Sequence, residues 1–412
     1  MGGFPFARVA VVTDPAAIRQ ILVENPSDYG KSALERRILC AHLRDGLVAV
    51  EGEQWRRQRQ ALAPWFSRKT VMHFAPEMAL AAAALVERWQ NHLDDDVVDI
   101  KAEMSRLSLD VLVRCIFSRG LGDDPNAFRT AMMSFFATAV RIDPFDLVGL
   151  PDFVPRITRL RLRPMLERFN RDFNTALSDR RRSLDGRSDG KPRDMLGAML
   201  AAKDPETGTC MSEAEVRANV LTAIFAGQET TSTALTWAIY LLSQSPEWCA
   251  RIREESERVL RSPFEEVPEQ LVETRAVIDE AMRLYPPIVG ITRTAGRDSE
   301  LAGRVIERGT MVVVSPYVLH RHRLWWDDPG VFDPARFLEN ASRPMERYAY
   351  LPFGVGPRMC IGAAFALQEA SLVLATIIKH FSLALVPGQT VWPVQRFTLR
   401  PRDALLMAVS RR

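Results

Sequence analysis

Apolar residues recur every three to four positions over 76–92 (PEMALAAAALVERWQNH), 102–118, 126–140 and 158–182, among Ala, Leu, Arg and Glu. That period predicts helices built from good helix formers. The segment that follows, DRRRSLDGRSDGKPRD, is charged and contains glycine, which predicts a solvated loop. From 212 onward Ser212 and Glu215 have the spacing of a capping box, and Pro246 marks the next start, so one helix is expected over 212–243. Its middle, Val220 to Ala226, is apolar on nearly all sides, which places it at the centre of the protein. Short β-type runs are few: VAVV at 9–12, LVAV at 47–50, MVVVS at 311–315, FSLALV at 381–386 and ALLMAV at 404–409. Without βαβ alternation, the expectation is a mainly α protein with small β-sheets and one long central helix. It reads as a single domain over 1–412, a small β-rich N-terminal part joined to a large helical part.

Composition narrows the function classes. With 412 residues, 47% of them hydrophobic, the chain can bury a large core. Its 54 basic and 51 acidic residues leave a net charge of +3 with no basic run, which argues against nucleic acid as a partner. The start, MGGFPFARVAVVTD, lacks the pattern of a secretory leader, and no stretch reaches the ~18 apolar residues of a membrane span. Five cysteines, odd in number and far apart, suggest neither a disulfide framework nor a zinc site, so a cytoplasmic, reducing setting is expected. Cys40, Cys115, Cys210 and Cys249 read as inert buried thiols.

Cys360 reads differently. In FGVGPRMCIG, residues 353–362, Gly354 and Gly356 allow backbone angles other residues resist, and Pro357 stiffens the turn. The amphipathic run after it puts the sulfur at or just before a helix N-terminus, where free N–H groups favour a thiolate, with Arg358 adding positive charge. A thiolate so presented can be a nucleophile or a metal ligand. Other stretches carry chemistry less clearly. Glu280 and Arg283 share one helical face, a spacing that alone is worth well under ~1 kcal/mol on a surface. Gly227 costs a helix interior about 1 kcal/mol, which suggests close approach of something flat or a local distortion, with Glu229 and Thr230 beside it. Trp55 and Arg59, one turn apart, can together bond an anionic group. His320 and His322 have no third ligand spaced to join them and read as structural.

The pattern Phe353-x-x-Gly356-x-Arg358-x-Cys360-x-Gly362 resembles the cysteine loop of the cytochrome P450 superfamily. The resemblance implies the cytochrome P450 fold and haem b (iron protoporphyrin IX) bound through Cys360, with Phe353, Gly354 and Gly362 around the sulfur. It implies that Glu280, Arg283 and Arg336, the last in FDPARF, lock the loop. AGQETT at 226–231 is similar to the family's distal signature. Ala226 and Gly227 would then lie beside the haem, Thr230 would bond dioxygen or a water, and Glu229 would join a proton relay. Trp55, Arg59, Arg293 and Arg358 would take the propionates. The implied reaction is hydroxylation by a haem-thiolate monooxygenase using O2, with electrons from a ferredoxin or flavodoxin and its reductase. Arg56, Arg57, Arg68 and Lys69, with Arg358, are candidates for its basic docking face. No flavin or iron–sulfur stretch follows the last strand, so the partner is expected to be a separate protein. The front is shorter than usual for the family, which suggests a clipped start. Ala223, Ala226, Ile288 and Val289 are the candidate substrate pocket and 145–154 a candidate lid, all apolar, which favours a fatty-acid-like or terpenoid substrate. A peroxide-using or isomerising haem-thiolate enzyme and a non-catalytic haem sensor are the alternatives.

Overall fold

The computed structural model describes residues 8–32, 35, 43, 45–92, 97–118, 130–132, 134, 138, 157–185, 194–262, 266–339 and 345–412. The helix expected over 126–140 lies largely outside these residues, and the lid expected over 145–154 and Cys40 lie wholly outside them.

Helices dominate. Those of seven residues or more are α1 (Gly52–Leu62), α2 (Ala75–His92), α3 (Ile100–Phe117), α4 (Ile157–Asp185), α5 (Met195–Ala201), α6 (Glu213–Leu242), α7 (Pro246–Val259), α8 (Val272–Leu284) and α9 (Ala363–His380). The capping box forms as its spacing predicts: Ser212 Oγ accepts from the Glu215 N–H at 3.3 Å, and Glu215 Oε2 accepts from the Ser212 N–H at 2.8 Å. Two of the N–H groups at the start of α6 are thereby satisfied, and the helix runs thirty residues from this start. Val216, Val220, Ile224, Leu235 and Trp237 are fully buried on several of its faces, because α3, α8 and α9 all pack against it. Pro246 starts α7 as expected.

The strands form small sheets at the edges of this body. β1 (Val9–Val12), β2 (Tyr29–Lys31), β4 (Ile291–Ala295) and β7 (Met311–Val314) make one sheet in the order β1-β7-β4-β2. Its β1–β7 pair is parallel, with Val9 opposite Met311, and its other pairs are antiparallel. β3 (Val97–Asp99), β8 (Phe381–Leu385) and β11 (Leu406–Arg411) make a second sheet. β5 (Ser299–Leu301) with β6 (Arg304–Ile306), and β9 (Pro393–Gln395) with β10 (Leu399–Pro401), are two-stranded.

One expected strand is absent. LVAV at 47–50 is a turn, in which the Ala49 and Val50 N–H groups both donate to the Gly46 carbonyl while the Leu47 N–H donates to Asn219 Oδ1 of α6 at 2.9 Å. The reason is contact with the central helix: a Cβ on Gly46 would stand 2.2 Å from Thr222 Oγ1, so the segment lies flat on α6 and its N–H groups are satisfied without a ladder. Among the described residues no helix is long and apolar enough to cross a membrane.

Candidate active site

The loop around Cys360 is shaped by its own backbone and by a distant part of the chain. The Cys360 N–H donates to the Phe353 carbonyl at 2.9 Å, and the Met359 N–H to the Gly356 carbonyl at 3.0 Å, which closes the loop on itself. Gly354 and Gly356 have φ of 70° and 78°, the left-handed region glycine favours. At Gly356 a second requirement is added, because a Cβ there would stand 1.9 Å from the Leu22 carbonyl oxygen. Gly362 caps α9, which begins at Ala363, so the sulfur stands just before a helix N-terminus as expected.

Cys360 is exposed, yet it lies deep in the molecule, and burial pushes its thiol up. The Gly362 N–H aimed at the sulfur and the Arg59 guanidinium pull the other way. The positive charge that acts on the sulfur is therefore that of Arg59, where the sequence pointed to Arg358. Arg358 instead lies over the Trp55 ring, 4.0 Å from its centroid, and donates to the Val50 carbonyl at 3.0 Å. Burial and the neighbouring guanidinium groups of Arg293 and Arg59 bring Arg358 down to about 10, although Glu51 and Glu35 oppose them. Arg293 is tied to Glu35 at 3.5 Å and to the Thr292 carbonyl at 2.8 Å. Three half-buried guanidinium groups, those of Arg59, Arg293 and Arg358, thus act on one another near the Trp55 indole, with Glu35 and Glu51 offsetting part of their charge.

Below the loop the expected lock is assembled. Glu280 and Arg283 are fully buried, paired through Arg283 Nε to Glu280 Oε2 at 2.6 Å and Arg283 Nη2 to Glu280 Oε1 at 2.7 Å. Arg283 also donates to the carbonyls of His320, Pro329 and Val331, at 2.9, 2.8 and 2.9 Å. Glu280 accepts the Asp333 N–H at 2.8 Å, and Arg336 Nε lies 3.6 Å from the same oxygen. Burial pushes Glu280 up against the pull of Arg283. His320 completes the linkage: its ring is fully buried, and Nε2 accepts the Leu351 N–H, where the cysteine loop begins, at 2.8 Å. Burial pushes this imidazole down to about 3, so it is neutral and free to accept. The sequence reading of His320 as structural fits; the bond to Leu351 has no sequence signature. Tyr350 adds a bond from its hydroxyl to Asp279 Oδ1 at 2.9 Å.

The distal wall is α6. Thr230 Oγ1 donates to the Ala226 carbonyl at 2.7 Å, one turn back, which leaves its lone pairs as acceptors. Glu229 is buried, and its Oε1 accepts from Thr398 Oγ1 at 2.9 Å and Arg400 Nη1 at 3.2 Å, two residues the sequence did not single out. The gap at Gly227 faces Leu112 of α3: a Cβ there would stand 3.2 Å from its methyl carbons, so close helix packing accounts for this glycine. Ala223, Ala226, Ile288 and Val289 are all half-buried. The Phe225 ring, next to Ala226 in sequence, meets Phe397 in a tilted contact with centroids 5.0 Å apart.

Other candidates are placed differently from expectation. Arg56 is paired with Glu53 and Glu206, at 2.9 and 3.1 Å, and Arg57 with Glu215, so two of the four basic surface residues are already neutralised. Cys210 is exposed and Cys249 half-buried, where buried thiols were expected, because Cys210 lies in an edge bridge opposite Lys203 rather than in the core. Cys115 is buried as expected.

The donor set fits a haem. One accessible thiol stands in a rigid glycine loop, a cluster of guanidinium groups suits paired carboxylates, and a helix carrying a hydroxyl and a carboxylate forms the other wall. Comparison with known proteins agrees. The family model described as Cytochrome P450 matches residues 4–408. The chain is 33% identical over 388 residues to the cyclooctatin synthase of Streptomyces melanosporofaciens, covering 93% of this chain and 83% of that one. It is 32% identical to the pentalenene oxygenase of Streptomyces avermitilis, covering 96% and 87%. The crystal structure of the cytochrome P450DA heme domain superposes with a TM-score of 0.82 at 27% identity, over 98% of this chain and 87% of that one. The loop at Cys360, the lock beneath it and these matches agree, and the chain belongs to the cytochrome P450 family of haem-dependent monooxygenases.

Proposed function

We propose that the protein inserts one oxygen atom of O2 into a C–H bond of a hydrophobic polycyclic or fatty-acid-like molecule. A terpenoid is the favoured class. The observation that carries this reading is the pairing of a presented thiol at Cys360 with the Glu229–Thr230 pair on the opposite wall. The cofactor would be haem b, which Cys360 would hold, with Arg59, Arg293, Arg358 and Trp55 offering donors to its carboxylates. When bound it supplies dioxygen activation. The chain's own residues do the rest. Apolar Ala223, Ala226, Ile288 and Val289, with Phe225 and Phe397 behind them, exclude water and hold an apolar substrate. Thr230 Oγ1, its proton committed to the Ala226 carbonyl, accepts a hydrogen bond from a proton donor in the site. Glu229 carries protons in from solvent.

One relative is named for oxygenating pentalenene, which supports the terpenoid reading. Electrons come from a separate ferredoxin or flavodoxin with its reductase. The exposed Arg68 and Lys69 are the basic groups left for docking, so reduction slows at high salt. The described cysteines are free, which fits the reducing cytoplasm.

Reduced holoprotein under carbon monoxide should develop the red-shifted Soret band of thiolate-ligated haem, and a Cys360→Ser variant should lose it. A wild-type spectrum without that band overturns the reading. Thr230→Ala should raise peroxide release per electron consumed; unchanged coupling removes the proton role of this hydroxyl. Titration of the holoprotein with terpenoids and fatty acids, followed by the spin-state change, ranks the two substrate classes.

A further inference from the structure

The carbonyl that Arg358 bonds belongs to the turn at 46–50, and that turn is held in place by two buried amides. The Ala49 and Val50 N–H groups donate to the Gly46 carbonyl at 2.8 and 3.1 Å, so the five residues close into one unit. On the side of the central helix, the Leu47 N–H donates to Asn219 Oδ1 at 2.9 Å, and Gly46 lies too close to Thr222 and the Ala218 carbonyl to admit a Cβ. The carbonyls of the same unit take cations. Lys31 Nζ of β2 donates to the Val48 oxygen and Arg358 Nη1 to the Val50 oxygen at 3.0 Å, while Glu51, the next residue, accepts the Lys31 N–H at 3.2 Å.

Asn219 of α6 is joined to Gln58 of α1, and both are buried. Asn219 Nδ2 donates to Gln58 Oε1 at 3.1 Å and to the Glu215 carbonyl at 2.9 Å; Gln58 Nε2 donates to the Asp45 carbonyl at 2.9 Å and to Glu215 Oε1 at 3.3 Å. The turn is therefore gripped at Leu47 by one amide and just before Gly46 by the other. Glu215 closes the network, because its second oxygen accepts the Ser212 N–H in the capping box of α6. Gln58 also sits between Trp55 and Arg59 in α1, and the Trp55 ring is the one on which Arg358 lies. One helix thus carries both the surface under the guanidinium and an amide that fixes its carbonyl partner.

Truncating either amide would strand buried donors and acceptors of the other, of Leu47 or of Asp45, which can be satisfied again only if water enters or the turn shifts. Val50 moves with the turn, since its own N–H is bonded within it. We propose that Asn219 and Gln58 are positioning residues for the haem-carboxylate site: they fix the turn at 46–50, and the turn fixes the Arg358 guanidinium. This rests on the reading of Arg358 as a donor to a haem carboxylate. The two amides act on the cofactor only through that arginine.

The test follows haem transfer from the holoprotein to excess apomyoglobin, together with the midpoint potential of the bound haem. Arg358→Ala should speed transfer by roughly tenfold, the loss of one charge-assisted hydrogen bond. Asn219→Ala and Gln58→Leu should each speed it by roughly threefold to tenfold and shift the potential in the same direction as Arg358→Ala. Added to Arg358→Ala, neither should speed transfer further, because the group through which they act is gone. A merely structural role would instead give additive effects. Additive effects, or single amide variants with unchanged transfer and potential, overturn the positioning role and leave that of Arg358 standing. If Arg358→Ala itself changes neither quantity, the carboxylate reading falls and the positioning falls with it. Should Asn219→Ala fail to fold, Gln58→Leu makes the same comparison from the other helix.

Discussion

Two carboxylate–guanidinium pairs join distant parts of this chain, and they are built on different terms. Glu280 and Arg283 are both fully buried and joined by two short bonds, and Arg283 is spread over three further carbonyls. Glu229 and Arg400 meet through one oxygen at 3.2 Å, with a threonine sharing it and the arginine partly in solvent. The first pair has no alternative to its partner except an unpaired charge in a dry interior; the second can exchange its partner for water. The same two functional groups therefore make a dry, many-bonded junction at Glu280 and a half-solvated contact at Glu229.

The contrast can be broken most sharply at the dry junction. Glu280→Ala or Arg283→Ala should cost about 3–5 kcal/mol and prevent haem retention, whereas Arg400→Met should cost no more than about 1 kcal/mol; thermal unfolding and haem content of purified protein compare them. A second effect belongs to His320. Its folded-state value near 3 lies below the ordinary 6.5, so the stability it contributes is present above pH 6.5 and is lost as pH falls toward 3. That loss is up to about 4 kcal/mol. His320→Gln should flatten this part of the pH–stability curve, and an unchanged slope would remove the buried neutral imidazole from the lock. Next, Gly356→Ala should cost about 3 kcal/mol from left-handed strain and the clash with Leu22, read as a lower denaturant midpoint.

The last effect has the opposite sign and lies on neither side. Glu369 of α9 is fully buried, and burial pushes it up to about 8, with the Ser108 hydroxyl pulling weakly against this. The folded protein keeps that proton where the unfolded chain has released it, so the group opposes folding increasingly from about pH 4.5 to 8. Glu369→Gln should stabilise the protein at pH 7 by about 3 kcal/mol and make no difference below pH 4. Equal stability at pH 7 would mean that the carboxyl is ionised there.

What the sequence made legible is what depends on close spacing. The capping box, the cysteine loop and the Glu280–Arg283 pair each lie within a few residues: the box and the pair form with the bonds their spacing predicts, and the loop has left-handed glycines just before a helix as its composition predicts. Contacts from afar were invisible. Nothing in ITRTA or RFTLRP marks Arg293 for Glu35 or Arg400 for Glu229, since each partnership is made by a strand meeting a residue far away in sequence. LVAV had a strand's composition, but it lies against the central helix and takes its hydrogen bonds from a turn and from Asn219. Gly227 stands out in the sequence for the close approach of something flat or a local distortion, and in the structure the side chain of Leu112 comes close to it.

The contact of Gly356 with the Leu22 carbonyl, like the pairing of β1 with β7, joins segments far apart in sequence. A nascent polypeptide cannot complete either until β7 and the cysteine loop have left the ribosome. β1 must wait unpaired until β7 follows it, and the loop around Cys360 is fixed later still. Cells making this protein quickly would accumulate colourless chains with an open sheet edge, and slower translation or a cooler culture should raise the share that matures.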